Sequence, residues 1–190
     1  QTIDGDHVIG IAALHRGRKG PLRPPLVVAT VLSNFGLEQL LRANGIDMIR
    51  TPVGDRHVAQ AMIAHGARIG GEPSGHVIFS DHASTGDGIL TAVQLLEIAH
   101  DAGESVEALA RGIPLYPQCQ RNVPCPSAAS ARGMPLEEVA LLADARLAGR
   151  GRVIVRPSGT QPMVRVFVEA DDQALADAVC EEAVAYIAAQ

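Results

Sequence analysis

The chain has 190 residues and a formal net charge of −5; 47% of the residues are hydrophobic but only 3% are aromatic, and tryptophan is absent. The negative balance argues against non-specific nucleic-acid binding, no apolar run approaches the ~20 residues of a membrane span, and no signal peptide opens the sequence. Ala, Val, Leu and Ile must fill the core, and Cys119, Cys125 and Cys180, with no Cys-x-x-Cys pair and no His at zinc spacing, read as reduced thiols of a cytoplasmic protein.

Asp4 or Asp6 caps a first helix running to about Arg16, with Val8, Ile9, Ala12 and His15 on its inner side. Gly20 to Pro25 breaks the chain, and Leu26 to Val31 is an apolar run suited to a strand buried on both faces. Gly36 to Ala43 reads as a helix closed by Asn44-Gly45, Ile46 to Val53 as a strand, and Asp55 to His65-Gly66 as a helix. Ala67 to Gly70 and His76 to Ser80 read as strands. Thr85 and Asp87 can cap a long helix to about His100, and Ser105 starts a short one to Arg111. This alternation predicts an α/β domain over residues 1–112, three-layered, with a mostly parallel sheet between helices. Ile113 to Gly133, with Pro114, Pro117, Pro124 and Pro126, reads as a linker plus one entering strand around Tyr116 to Val123. Pro135 to Leu147 then reads as a helix, Val153 to Arg156 and Met163 to Glu169 as two strands, and Asp171 to Ala189 as a closing amphipathic helix. Residues 113–190 therefore form a small α+β domain.

Two loops carry chemistry. In Arg156-Pro157-Ser158-Gly159-Thr160-Gln161-Pro162, Arg156 can grip a phosphate with two parallel hydrogen bonds, Ser158 and Thr160 offer hydroxyl donors, and Gly159 lets its backbone N–H approach an oxygen. A tight hairpin alone accounts for Pro157 and Gly159 but not for Arg156 at a strand end beside two hydroxyls. Arg165, on the following strand, is either a second cation or a surface residue. In Gly71-Glu72-Pro73-Ser74-Gly75-His76, Glu72 and Ser74 suit a ligand rich in hydroxyls, the plain alternative being a surface β-turn. His76 is a candidate proton shuttle or orienter, or a structural strand-start residue. At Val53-Gly54-Asp55-Arg56, a helix N-terminus and the Arg56 charge favour an anion, against a simple Asp cap with a solvated Arg. Asp4-Gly5-Asp6 invites a magnesium reading, which helix capping explains better. His76, Asp81, His82 and Asp87 fit no zinc spacing. Neither Gly-x-x-x-x-Gly-Lys nor Gly-x-Gly-x-x-Gly occurs, and Ser33, Ser84 and Ser105 lack the setting of an activated nucleophile.

These loops, with Thr30-Val31-Leu32-Ser33-Asn34-Phe35-Gly36-Leu37-Glu38, Val53-Gly54-Asp55-Arg56 and Thr85-Gly86-Asp87-Gly88-Ile89, resemble in order the α-D-phosphohexomutases, and within them the bacterial phosphoglucosamine mutase branch. The resemblance implies that Glu72 and Ser74 bind sugar hydroxyls, that Arg156, Ser158, Gly159 and Thr160 hold the non-reacting phosphate, and that the Gly54–Arg56 turn faces the cleft. Many members have Glu at the position of Gln161, so no role rests on that carboxylate here. The family's longer enzymes carry a phosphoserine and an Asp-Gly-Asp-Gly-Asp-Arg magnesium loop; this chain has neither and resembles the third and fourth domains alone. The resemblance thus implies the substrate-binding half of a mutase interconverting glucosamine 6-phosphate and glucosamine 1-phosphate. It implies Mg2+ in the full-length enzyme and none on this piece, the missing N-terminal domains as partners, and no turnover by the piece alone. A homodimer is left open. A phosphomannomutase or phosphoglucomutase, or a non-catalytic phosphosugar-binding module, is the alternative.

Overall fold

In the first half of the chain, strands buried on both faces (Leu26–Thr30, Ile69–Gly71 and Val77–Phe79) alternate with helices, and that alternation sets the architecture there. The computed structural model describes residues 2–19, 22–159 and 161–189, divided between two compact units, Gln1–Leu115 and Tyr116–Gln190.

The first unit runs α1 (Gly5–Lys19), β1 (Leu26–Thr30), α2 (Phe35–Ala43), β2 (Asp47–Thr51), α3 (Asp55–His65), β3 (Ile69–Gly71), β4 (Val77–Phe79), α4 (Gly88–Ala102) and α5 (Val106–Ala110). The strand order is β2-β1-β3-β4. β1 is parallel to both β2 and β3, and β4 returns antiparallel to β3. Short polar side chains start the helices by taking up orphan N–H groups. Asp4 accepts from His7 N at 3.1 Å, Asn34 from Gly36 N at 2.8 Å, Asp87 from Ile89 N and Leu90 N, and Ser105 from Ala108 N. Because side chains alternate along a strand, Val27, Ile69, Val77 and Phe79 join Ile9, Leu37, Leu41 and Ile98 on one face. Val28 and Ile78 meet Val58 and Met62 of α3 on the other. Helices thus cover both faces of a mostly parallel sheet, as the pattern predicts, and Phe79 is the largest fully buried side chain in an otherwise aliphatic interior.

The second unit runs β5 (Gln118–Pro124), α6 (Ala128–Gly133), α7 (Leu136–Leu147), β6 (Gly151–Pro157), β7 (Met163–Ala170) and α8 (Gln173–Ala188). Its sheet, ordered β5-β7-β6, is antiparallel throughout. Val164, Val166 and Val168 pack against Val139 and Leu147 of α7 and Val179, Ala183 and Ile187 of α8. Arg165, Phe167 and Glu169 alternate with these valines and so lie on the opposite face. The one helix absent from the sequence reading is α6, started by Ser127 Oγ accepting from Ser130 N at 3.0 Å.

Candidate functional site

Three loops leave the first sheet along one edge. The parallel strands end at Thr30, Thr51 and Gly71, so residues 31–34, 52–54 and 72–75 follow their carboxyl ends together. The helix after β1 packs on one face and the helix after β2 on the other, the divergence at which open α/β sheets hold ligands. Three partly exposed apolar side chains, Val31, Leu32 and Val53, belong to this edge.

Glu72 is buried at 8% exposure, and its Oε1 accepts the Gly54 N–H at 2.9 Å. The sugar-type loop and the Gly54–Arg56 turn, far apart in sequence, are therefore joined. Gly54 has φ of 127°, a conformation that favours glycine. The turn itself is closed by Glu72 N donating to His76 O and Gly75 N donating to Glu72 O, each at 3.0 Å, and Gly5 N donates to Pro73 O at 3.0 Å. Ser74 and His76 are exposed, with Ser74 Oγ 3.3 Å from His76 Nδ1. Asp55 and Arg56 are exposed at the start of α3, where Asp55 Oδ1 accepts from Arg56 N at 2.7 Å. Glu72 is thus a positioned carboxylate at a helix start, with a hydroxyl and an imidazole exposed beside it, a set able to bind a diol.

Two supports escaped the sequence reading. Buried Asp6 accepts the Asn34 N–H at 2.8 Å, so it fastens the loop after β1 while Asp4 does the capping. Arg50 donates from β2 to Ser33 O at 2.7 Å and Thr30 O at 3.2 Å, and to Glu38 Oε2 through Nε and Nη2 at 3.0 and 2.8 Å. Of His76, Asp81, His82 and Asp87, which fit no zinc spacing, Asp81 pairs with Arg16 and Arg68, and Asp87 caps α4. Among the described residues no three His, Cys, Asp or Glu side chains converge as metal ligands. A cavity of about 540 Å³ lined by His15, Arg16, Arg68, Asp81, His82 and Asp101 lies at the other end of the strands, since Arg68 precedes β3 and Asp81 follows β4.

In the second unit, the β6–β7 hairpin carries the anion-type loop. Ser158 N donates to Met163 O at 2.9 Å and Cys125 N to Pro162 O at 2.8 Å; buried Ser158 also accepts, through Oγ, from Gln161 N at 3.3 Å. Gly159 is exposed, and Thr160 lies outside the described residues. Arg156 stands directly opposite Arg165 in the antiparallel register. Like charges so placed repel, and the described ion pairs of this unit, Arg121–Glu181, Arg146–Glu182, Arg150–Asp171 and Arg152–Glu169, include neither. The Arg165 Nε is buried without a partner among the described residues. The arrangement is a paired cationic surface at the hairpin end, suited to a doubly charged oxyanion.

A family model described as phosphoglucomutase/phosphomannomutase, alpha/beta/alpha domain III, matches residues 4–116. A second, for the phosphoglucomutase/phosphomannomutase C-terminal domain, matches residues 122–185. The chain belongs to the phosphoglucomutase/phosphomannomutase family. The phosphoglucosamine mutase of Desulforamulus reducens is 44% identical over 173 residues, which are 90% of this chain and 39% of that protein. That of Moorella thermoacetica is 45% identical over 174 residues, 91% of this chain and again 39% of the relative. The chain therefore spans well under half the length of the curated relatives it matches. Among solved structures, Aspergillus fumigatus N-acetylphosphoglucosamine mutase superposes with a TM-score of 0.77 at 18% identity, over 98% of this chain and 43% of that one. The same enzyme in complex with GlcNAc-6P and magnesium gives 0.74 at 18% identity, over 98% and 47%. These two likenesses are of fold.

Proposed function

We propose that residues 1–112 and 113–190 are the sugar-holding and phosphate-holding domains of a phosphoglucosamine mutase, a cytoplasmic isomerase of hexosamine phosphates. The observation that carries this reading is the Arg156–Arg165 pair, set face to face at the end of the β6–β7 hairpin with no carboxylate partner among the described residues. A phosphate monoester supplies the charge the pair lacks. In the second unit Arg156, Ser158, Gly159, Thr160 and Arg165 grip the non-reacting phosphate; in the first unit Glu72 and Ser74 take vicinal hydroxyls, with His76 and the Gly54–Arg56 turn beside them. The name shared by the curated relatives supports glucosamine over mannose or glucose as the sugar.

In this reading the chain binds and orients. In the parent enzyme a serine would carry the phosphoryl group and magnesium would offset its charge, in parts that this chain does not include. Positioning lowers a barrier by several kcal/mol but does not replace a nucleophile, so the chain alone is expected to give no mutase turnover in a coupled assay. The direct test is calorimetric titration of glucosamine 1-phosphate onto this chain and onto Arg156→Ala. Loss of binding in the variant is expected, and equal binding by both removes the phosphate assignment. Titrating mannose 1-phosphate and glucose 1-phosphate in parallel separates the three sugar specificities.

A further inference from the structure

The open face of the second sheet is a ladder of three rungs, because residues directly paired across antiparallel strands share a face. The rung farthest from the hairpin loop joins Gln118, Glu169 and Arg152. It is closed on itself: Glu169, fully buried, accepts from Gln118 Nε2 at 2.7 Å and pairs with Arg152. The middle rung joins Gln120, Phe167 and Ile154. The rung nearest the loop joins Asn122, Arg165 and Arg156, and nothing within the described residues closes it. Asn122 is exposed, while its neighbour Val123 turns into the core. Arg165 keeps a buried, unpartnered Nε. One end of the face thus matches every charge and amide with a partner, and the other presents two guanidiniums and a carboxamide in a row.

We infer that Asn122 is a ligand-contacting residue of the phosphate site, reading the junction between phosphate and sugar. The inference rests on the phosphate assignment made above for Arg156 and Arg165. A guanidinium only donates, so two arginines hold the oxyanion but cannot accept from a hydroxyl or ammonium group beside it. A carboxamide carries both signs: its NH2 donates to a phosphate oxygen, and its carbonyl accepts from a hydroxyl or ammonium group on the carbon skeleton. Placed beside Arg165 on β5, on the side away from Arg156, Asn122 distinguishes a phosphate ester of a polyol from a bare anion. The ligand class is therefore a phosphate monoester bearing a hydrogen-bond donor near the ester oxygen.

The test is titration of glucosamine 1-phosphate and of inorganic phosphate onto the unaltered chain, Asn122→Ala, Gln120→Ala and Arg156→Ala. Gln120 is an internal control, an exposed amide one rung farther from the loop on the same strand and face. Asn122→Ala is expected to weaken glucosamine 1-phosphate about tenfold, the worth of a hydrogen bond to a charged or polar ligand group, and inorganic phosphate by clearly less. Gln120→Ala leaves both unchanged, and Arg156→Ala loses both. An Asn122→Ala chain that binds both probes as the unaltered chain does overturns the inference and leaves the phosphate assignment standing. So does a Gln120→Ala chain weakened as much as Asn122→Ala. An Arg156→Ala chain that keeps both probes, or an unaltered chain that binds neither, overturns the assignment and the inference with it. A thermal melt of each variant confirms that these exposed positions leave the fold intact.

Discussion

A methyl group on Gly5 would sit 1.9 Å from the carbonyl oxygen of Glu72, 2.9 Å from its carbonyl carbon and 3.0 Å from Gly75 N. All three are backbone atoms of the candidate sugar loop, so no side-chain rotation relieves the clash; the turn must move or α1 must start later. Gly5→Ala is therefore expected to cost about 1–3 kcal/mol in urea unfolding, the range of overpacked sites, and to weaken sugar-phosphate binding. A change below about 0.5 kcal/mol, the level of an inert surface substitution, would show that the α1 start does not anchor the loop. At this scale the sequence was readable where chemistry is local. Glu72 stands out as a candidate because a carboxylate and a hydroxyl share one Gly-flanked turn. Asp6 and Arg50 do not, because they act on backbone groups 28 and 17 residues away, and nothing in their own neighbourhoods marks them. Asp6 sits in an Asp-Gly-Asp string in which either carboxylate would pass for the cap.

A left-handed glycine made one helix end legible: α3 stops at Gly66, at positive φ, as its His65-Gly66 pair predicts, whereas α4, capped by Asp87 as expected, runs past His100 and stops only at Gly103. α6 was hidden because its six residues have no acidic residue in the first turn and lie among prolines that suggest a linker, whereas α5, at five residues, was marked by Ser105 with Glu107 behind it. The Arg156–Arg165 opposition was also out of reach, since it depends on the register of the β6–β7 pairing and hence on the loop geometry. Another tie made only by folding is Asp81, after β4, which takes Arg16 from the end of α1 and Arg68 from the start of β3. The Arg16 hydrogen bond, ahead of the bond from Arg68 and against the opposing effect of burial, holds its carboxyl below the ordinary 3.8. A carboxylate with a lowered folded-state pKa stabilises the fold above its unfolded value, and that contribution fades as the pH falls through the folded value. Asp81→Asn should therefore lower the melting temperature most near pH 6, with the gap to wild type closing as the pH drops below about 3.8. A gap that is the same at pH 6 and at the lowest pH where both remain folded would exclude the ion pair as its source.

Each of the two units has its own core, and this sets how the chain should divide. Residues 116–190 hold Val164, Val166, Val168, Leu147, Val179 and Ile187 in one cluster, and their buried charge, Glu169, finds Arg152 and Gln118 inside the same unit. Excision leaves those contacts whole. The unit is small enough to be marginal, since domains of this size draw about 3–5 kcal/mol from a single core, and with Cys119, Cys125 and Cys180 all free no disulfide stabilises it. Expressed alone, residues 116–190 should give a single cooperative thermal transition with native near-ultraviolet dichroism, and Ile187→Ala, which removes a side chain 1% exposed at a cost of about 2–5 kcal/mol, should abolish that transition. Loss of near-ultraviolet signal with retained helix in the unmutated piece would mean that its packing depends on residues 1–115. If the piece folds, titrating it with glucosamine 1-phosphate separates the anion grip from the sugar grip: binding that survives without Glu72 and is lost with Arg156→Ala assigns most of the affinity to the hairpin end. Binding that needs the first unit makes the diol contact the larger share.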